Sequence, residues 1–521
     1  MVGSTIALAV LSVTLAAVSL LGVLASRGRV ESIEDYVSAR DSAGSGTLTA
    51  TLIASSMGAW ILLSPAEVGT STGLTAVIGY GLGSAVPMVA FAIVGPRIRR
   101  VMPAGHSLTE FARARFGPAM HAYVLLISGF YMFVFLAAEL TGVTTAVDAV
   151  AGVPRWQTAA LVGGFVLTYT AYGGLRASVV TDAVQSLLIL PLLVLGGAGA
   201  VVLLGGTDRL RAGVVAANPA LLDPGYAAGV AYGFTLVLAV LGAELLNQAW
   251  WQRIYAAADA RTLRRSFLVA AVAVVPMVVV AGLFGVFATG LGLVGVGQGS
   301  VAFFLVVRRA FPAWIALLVV VLATLLVMST ADTLFNAIAS LVTTELPRLL
   351  ADPDRERLTA AARLLTVLVG IASLLVALRA RSVLSLFLLA DLLAAATFAP
   401  LFAGLYVGSL AQRGAVVAAA VALAVGLAYF PRTNAALATL GFARVLPAPN
   451  LLAAFVSAVG LSVALTAGSA TLGVAAGRSF DFDRLAREVR KLDAVADGGA
   501  GGDQPADGCA DGAADGEVHD R

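Results

Sequence analysis

Six carboxylates fall inside apolar stretches of this chain: Glu67, Glu139, Asp182, Glu244, Asp332 and Asp391. A charge in a low-dielectric stretch is costly and marks a functional site by default. No arginine or lysine stands near the centre of these stretches to pair with them. Carboxylates without basic partners need a cation or a proton, so the pattern points to cation-coupled transport or cation conduction. The densest cluster is Ser329, Thr330, Asp332 and Thr333, which fall within about one and a quarter turns of helix. Hydroxyls and a carboxylate are hard oxygen donors; completed by backbone carbonyls, they suit a monovalent ion such as sodium. Ser and Thr can also bond back to their own helix, so it is Asp332 beside them that makes the cluster specific.

The elements that must hold these groups belong in lipid. Of 521 residues, 59% are hydrophobic and only 12% charged, with a mean hydropathy of +0.94. A soluble protein carries roughly a quarter charged residues; this chain could not cover a surface in water, which excludes soluble enzymes and nucleic-acid binders. The formal charge of +3 is too small to imply a polyanionic partner. Cys509 is the only cysteine, so no intrachain disulfide forms, and His106, His121 and His519 are scattered. A membrane-embedded enzyme would want a His, Cys or acid–base constellation at one depth, and none is found.

Apolar runs lie at 5–26, 48–70, 74–95, 120–147, 158–172, 179–204, 227–251, 267–293, 314–344, 364–378, 383–407, 415–429 and 451–475, which predicts about thirteen spans. The first has no leading positive charge, unlike a signal peptide, and reads as a permanent span with the N-terminus outside. Arginines then concentrate in alternate loops, among them Arg97, Arg99, Arg100, Arg253, Arg264 and Arg265, which predicts a cytoplasmic C-terminus in the plasma membrane. Two spans look interrupted, one by Ser55, Ser56, Gly58 and Pro65, the other by Gly242, Glu244, Asn247 and Gln248. Such breaks free carbonyls for ions and expose helix ends to solutes, and breaks at corresponding places mark inverted-repeat transporters. No GxxxxGK[ST] motif occurs, which argues against ATP-driven transport. The tail at 479–495 has helical periodicity and mixed charge, as in a helix lying along the membrane surface, and from Ala496 onward the Gly, Ala and Asp composition predicts disorder.

Three motifs, YTAYGGLRASVVTDAVQ at 169–185, NQAWWQRIYAA at 247–257 and VMSTADTLFNAIASLVTTEL at 327–346, carry a resemblance. In order and spacing they resemble the sodium:solute symporter family, relatives of the sodium/proline and sodium/glucose cotransporters, over about residues 5–410. The resemblance implies an all-α polytopic membrane protein of the LeuT type. Its two inverted five-helix repeats would be 47–206 and 207–410, with a leading span in 1–46, two trailing spans in 411–478 and a cytoplasmic tail at 479–521. It implies a sodium ion held by carbonyls of Ala54, Met57 and Leu326 and hydroxyls of Ser329 and Thr330. It also implies a second sodium ion at Asp182, Ser329, Asp332 and Thr333, and substrate contacts from Gly58, Trp60, Glu139, Glu244, Asn247 and Asp391. Ser56 stands where the proline carriers have an aspartate, and Glu244 where they have an aromatic contact, which argues against proline. The stretch RRVMPAGHSLTEFARARFG at 99–117 and the WWQR run resemble urea-transporting members.

The expected function is therefore sodium-coupled symport of a small polar solute, urea or an amine or amino-acid-like compound, by a non-catalytic carrier in the lipid bilayer. Proton coupling through Asp182 or Asp332, and a membrane sensor that keeps the carrier fold, stand as alternatives. The solute, the number of ions per cycle and the oligomeric state do not follow from the sequence.

Overall fold

The computed structural model describes residues 3–26, 39–295, 297–345, 355–380 and 382–489. These are helical, in chain order α1 (Ser4–Ser26), α2 (Ser45–Ser56), a 3-10 turn (Ala59–Leu62), α3 (Ser64–Val101), α4 (Leu108–Phe116), α5 (Pro118–Ala151) and α6 (Arg155–Leu203). Then come α7 (Gly206–Ala217), α8 (Ala227–Leu245), α9 (Gln248–Ala256), α10 (Ala260–Gly290), α11 (Ala302–Ala310), α12 (Ile315–Glu345), α13 (Arg355–Arg379), α14 (Val383–Ala395) and α15 (Phe398–Ala403). The last long elements are α16 (Gln412–Tyr429) and α17 (Leu451–Ala475).

Large apolar side chains point outward all around the helices: Val272 is 75% exposed, Leu195 69% and Leu126 68%. Such a surface is costly in water and natural in hydrocarbon, so the chain is a polytopic membrane protein. Inside, small residues bring the helices together, as expected where lipid supplies no hydrophobic drive between them. Helix α3 lies between α8 and α10, with Gly79 against Gly233 on one side and Gly285 of α10 against the Ala66 carbonyl on the other. A side chain at Gly79 or Gly285 would collide with backbone, and one at Gly233 would be in tight contact with it.

The span count corrects the sequence reading. Among the described residues nine helices are long and apolar enough to cross a membrane, not about thirteen. The run at 48–70 is divided between α2, the 3-10 turn and the start of α3. The runs at 158–172 and 179–204 join into the single helix α6, whose backbone stays helical through Gly173 and Gly174. The runs at 364–378 and 383–407 give only the shorter apolar helices Val367–Arg379 and Val383–Ala395.

On one side of the bundle, α4 opens with a capping box in which Ser107 and Glu110 satisfy each other's backbone amides. Arg115 of α4 donates to the carbonyls of Gly404, Val407 and Leu410 and lies over the rings of Phe116 and Phe480. Of the expected tail helix, the described part is Asp483–Glu488, which packs on α3 and α4. The expected disorder after Ala496 lies outside the described residues.

Candidate functional site

The first break is built by Met57 and Gly58. Helix α2 ends at Ser56, Gly58 is extended (φ −85°, ψ −178°), and the chain re-enters helix only through the 3-10 turn and Pro65 in the first turn of α3. Amides at a helix start need acceptors. Glu139 of α5, fully buried, supplies one: its Oε2 accepts from the Ala59 amide at 2.6 Å. A Cβ on Gly58 would fall on that carboxylate, so glycine is required for Glu139 to approach.

The second break is at Leu246 and Asn247, between α8 and α9. Asn247 caps α9, its Oδ1 accepting from the Ala249 amide at 3.0 Å. Ser128 of α5 donates to the freed Leu246 carbonyl at 2.9 Å. Glu244, in the last turn of α8, accepts from Asn247 Nδ2 at 3.0 Å, Tyr131 Oη at 3.2 Å and Trp250 Nε1 at 2.5 Å. Its neighbours are thus neutral donors, and its formal charge has no partner in these contacts.

Between the breaks lies a small pocket that reaches both of them, with Ser56 and Trp60 from the first and Glu244 and Trp250 from the second in its wall. Seven aromatic rings line it: Trp60, Tyr80, Phe91, Tyr131, Phe135, Trp250 and Phe387. Trp60 sits 5.5 Å from Tyr80 and 6.4 Å from Phe387, centre to centre. Two carboxylates, Glu244 and Asp391, also line it, and among the described residues no Lys, Arg or His does. Among the described residues no group hydrogen-bonds Asp391, and the buried Trp60 Nε1 likewise lacks a partner. Of the expected solute contacts, Trp60, Glu244 and Asp391 therefore share one cavity, whereas Gly58, Glu139 and Asn247 are held in the two breaks behind it.

Below the first break, α12 packs against α2 and the 3-10 turn. Ala54, Met57, Leu326, Ser329 and Thr330 are all buried at this contact. Thr324, earlier on the same helix, bonds back to the Val320 carbonyl at 2.7 Å, but among the described residues the buried Thr330 Oγ1 makes no hydrogen bond. That hydroxyl, on the helix packed against α2, and the carbonyl end of α2, where the helix dipole is negative, are hard oxygen donors of the kind a monovalent cation takes.

The largest departure from expectation is Asp182. Its Oδ2 accepts from Thr51 at 2.5 Å, Ser55 at 2.8 Å and the Arg253 guanidinium at 3.1 Å, and its Oδ1 from Ser329 at 2.5 Å. Arg253 and Asp182 are both fully buried. The expectation of carboxylates without a basic partner thus fails for Asp182, and Arg253 is no loop residue. Helix α9, which follows the second break, is buried along its whole length and holds the guanidinium inside the protein. Arg253 further donates to Ser55 at 2.5 Å and Thr333 at 2.8 Å. Asp332 accepts from Ser178 at 2.9 Å and Thr181 at 3.4 Å in the same polar knot.

The sequence profile of the Sodium:solute symporter family matches residues 36–422, most of the chain. The chain belongs to this family. As a sodium:solute symporter family member it is similar to a spermidine transporter, DUR31, of Candida albicans, 27% identical over 370 residues that make 71% of this chain and 69% of that protein. A probable urea active transporter of Schizosaccharomyces pombe is 26% identical over 162 residues, 31% of this chain but only 24% of that protein. Among solved structures, a Na+-coupled sialic acid symporter superposes with a TM-score of 0.71 at 20% identity, over 90% of this chain and 98% of that one, which shows a shared fold. The family member described here is thus a carrier and not an enzyme.

Arg253, Thr51, Ser55, Tyr131 and Trp250 were not legible as site residues. Every residue of α9 is buried, its Gln248, Gln252 and Arg253 included. Glu139 gives a direct test of the first break. Glu139→Ala removes the acceptor for Ala59 and should cost about 1–3 kcal/mol, read as a lower thermal midpoint in detergent, while Glu139→Gln, which keeps an acceptor oxygen, should lose less. Equal midpoints for wild type and Glu139→Ala would contradict this capping role.

Proposed function

We propose that this protein is a sodium-coupled symporter for a small organic amine, working by alternating access. The observation that carries this reading is the aromatic cavity with two carboxylates, Glu244 and Asp391, and no basic lining residue. An ammonium group is attracted to aromatic faces and neutralises a desolvated carboxylate; a solute with two cationic nitrogens would engage both acids. The similarity to a transporter of spermidine supports the amine class. Urea is the second reading. The unpaired Trp60 N–H could donate to a urea carbonyl while its N–H groups meet the acids, and the likeness to a probable urea transporter supports it over a smaller part of the chain.

In this reading the sodium ion enters at the carbonyl end of α2, near Ala54 and Met57, and is completed by the Leu326 carbonyl and the Ser329 and Thr330 hydroxyls. Bound there, it draws α2 to α12 and stabilises the solute site one break away. Release of both to the cytoplasm follows when the bundle holding the two broken helices rocks against the rest. We assign 47–206 and 207–410 as inverted repeats, each opened by one broken helix, with 1–46 leading, 411–478 trailing and 479–521 as the tail. The N-terminus lies outside and the C-terminus in the cytoplasm of the plasma membrane, as arginine placement requires.

Two outcomes follow. Ser329→Ala with Thr330→Ala should raise the half-saturating sodium concentration about tenfold, equivalent to ~1.4 kcal/mol, with little loss of expression; wild-type sodium dependence in this double variant would move the ion elsewhere. Glu244→Gln and Asp391→Asn should each weaken binding of a labelled alkylamine by roughly ten- to hundredfold, since charge-assisted hydrogen bonds contribute about 1.5–3 kcal/mol. Sodium binding without solute should stay unchanged, and urea binding should suffer less than amine binding. Undiminished amine affinity in both variants would exclude the cavity as an ammonium site.

A further inference from the structure

We propose that Arg253 is a built-in second cation: it occupies the charge position at Asp182 where a second sodium ion is expected, so that one sodium ion, not two, moves per cycle. This rests on the sodium-coupled reading above. The resemblance implies a second ion among Asp182, Ser329, Asp332 and Thr333. In the structure the guanidinium already stands in that group, 3.1 Å from Asp182 Oδ2 and 2.8 Å from Thr333 Oγ1. Counting Arg253, Asp182 accepts four donors, about the full acceptor capacity of a carboxylate. Three of those donors crowd Oδ2, and an arriving ion would meet the guanidinium there in a site closed to water. The Arg253–Asp182 pair is neutral before any ion binds, and Asp332, the other carboxylate of the expected site, accepts from Ser178 and Thr181 beside it.

The guanidinium is fixed by the fold. It hangs from α9, the short arm after the second break, and its Nη2 alone reaches Ser55 of α2, Asp182 of α6 and Thr333 of α12. Nη1 donates to the Ala249 carbonyl of its own helix at 3.3 Å. A sodium ion would leave with the solute, whereas a tethered cation stays and keeps these four helices tied. Arg253 also acts on the first sodium site through Asp182. Ser329 donates its hydroxyl hydrogen to Asp182 Oδ1 at 2.5 Å, which leaves its lone pairs for an ion on the other side. Arg253 is therefore a positioning residue for that ligand as well as a substitute charge.

The test is the number of sodium ions bound per chain, measured by equilibrium binding of radioactive sodium to the purified full-length carrier without solute. Wild type should bind one. Arg253→Gln leaves a carboxylate among hydroxyls, an oxygen set that takes sodium, and should bind two. Arg253→Lys should stay at one, and so should Arg253→Gln with Asp182→Asn. Asp182→Asn alone serves if Arg253→Gln does not fold: it should still bind one, whereas a true second site at Asp182 would show a fall from two to one. Two ions in wild type, or one ion in a folded Arg253→Gln, would overturn the proposal. No bound sodium in wild type would instead remove the sodium-coupled reading on which it stands.

Discussion

A helix broken inside a bilayer leaves amides and carbonyls that no water can reach, and each must find a partner in the protein. That constraint organises this molecule. At the first break the buried Glu139 meets the Ala59 amide, and Gly58 makes room for it. At the second, Asn247 meets the Ala249 amide and Ser128 the Leu246 carbonyl. Both Glu139 and Ser128 come from α5, so one continuous helix braces both ruptures. The breaks are permanent features of the fold, held open by specific side chains, and they leave helix ends where an ion and a solute can bind.

The two breaks also separate two chemistries. On the cavity side stand aromatic rings and two acids, Glu244 and Asp391, joined by no basic lining residue. On the other side stands a knot of hydroxyls around Asp182 and Asp332, closed by Arg253. The thread between them is short in sequence. Glu244, Asn247, Trp250 and Arg253 follow one another across the second break, the first three bonded together around the Glu244 carboxylate and the last reaching Asp182. A movement of α9 is thereby felt at both the aromatic cavity and the hydroxyl knot around Asp182, and in the proposed function that is the linkage between solute and ion.

Much of this was legible in one dimension, because a carboxylate in an apolar run is conspicuous wherever the chain later folds. Glu244 and Asp391 stood out that way and do share a cavity. Their neighbours did not stand out: Tyr131 and Trp250 look like ordinary packing residues until the fold brings them to Glu244. Glu139 stood out equally, but its partner is an amide exposed by a break in a different span, and no spacing reveals that. Arg253 was misread for a physical reason. An arginine at the end of an apolar run normally snorkels to water, whereas this one is buried with its helix and paired to Asp182. The span count erred because a broken helix is still one apolar run in sequence, as at 48–70, and because α6 continues through Gly173 and Gly174, joining the runs 158–172 and 179–204 that were counted separately.

The central claim is that ion and amine are bound on opposite sides of the first break and move together. Uptake of labelled alkylamine into proteoliposomes, with urea as the comparison solute, addresses it most directly. An inward sodium gradient should drive amine accumulation above the outside concentration, and collapsing that gradient at constant pH should abolish the accumulation. Amine accumulation that persists without a sodium gradient, or follows a proton gradient in its place, would contradict sodium coupling at the α2 break.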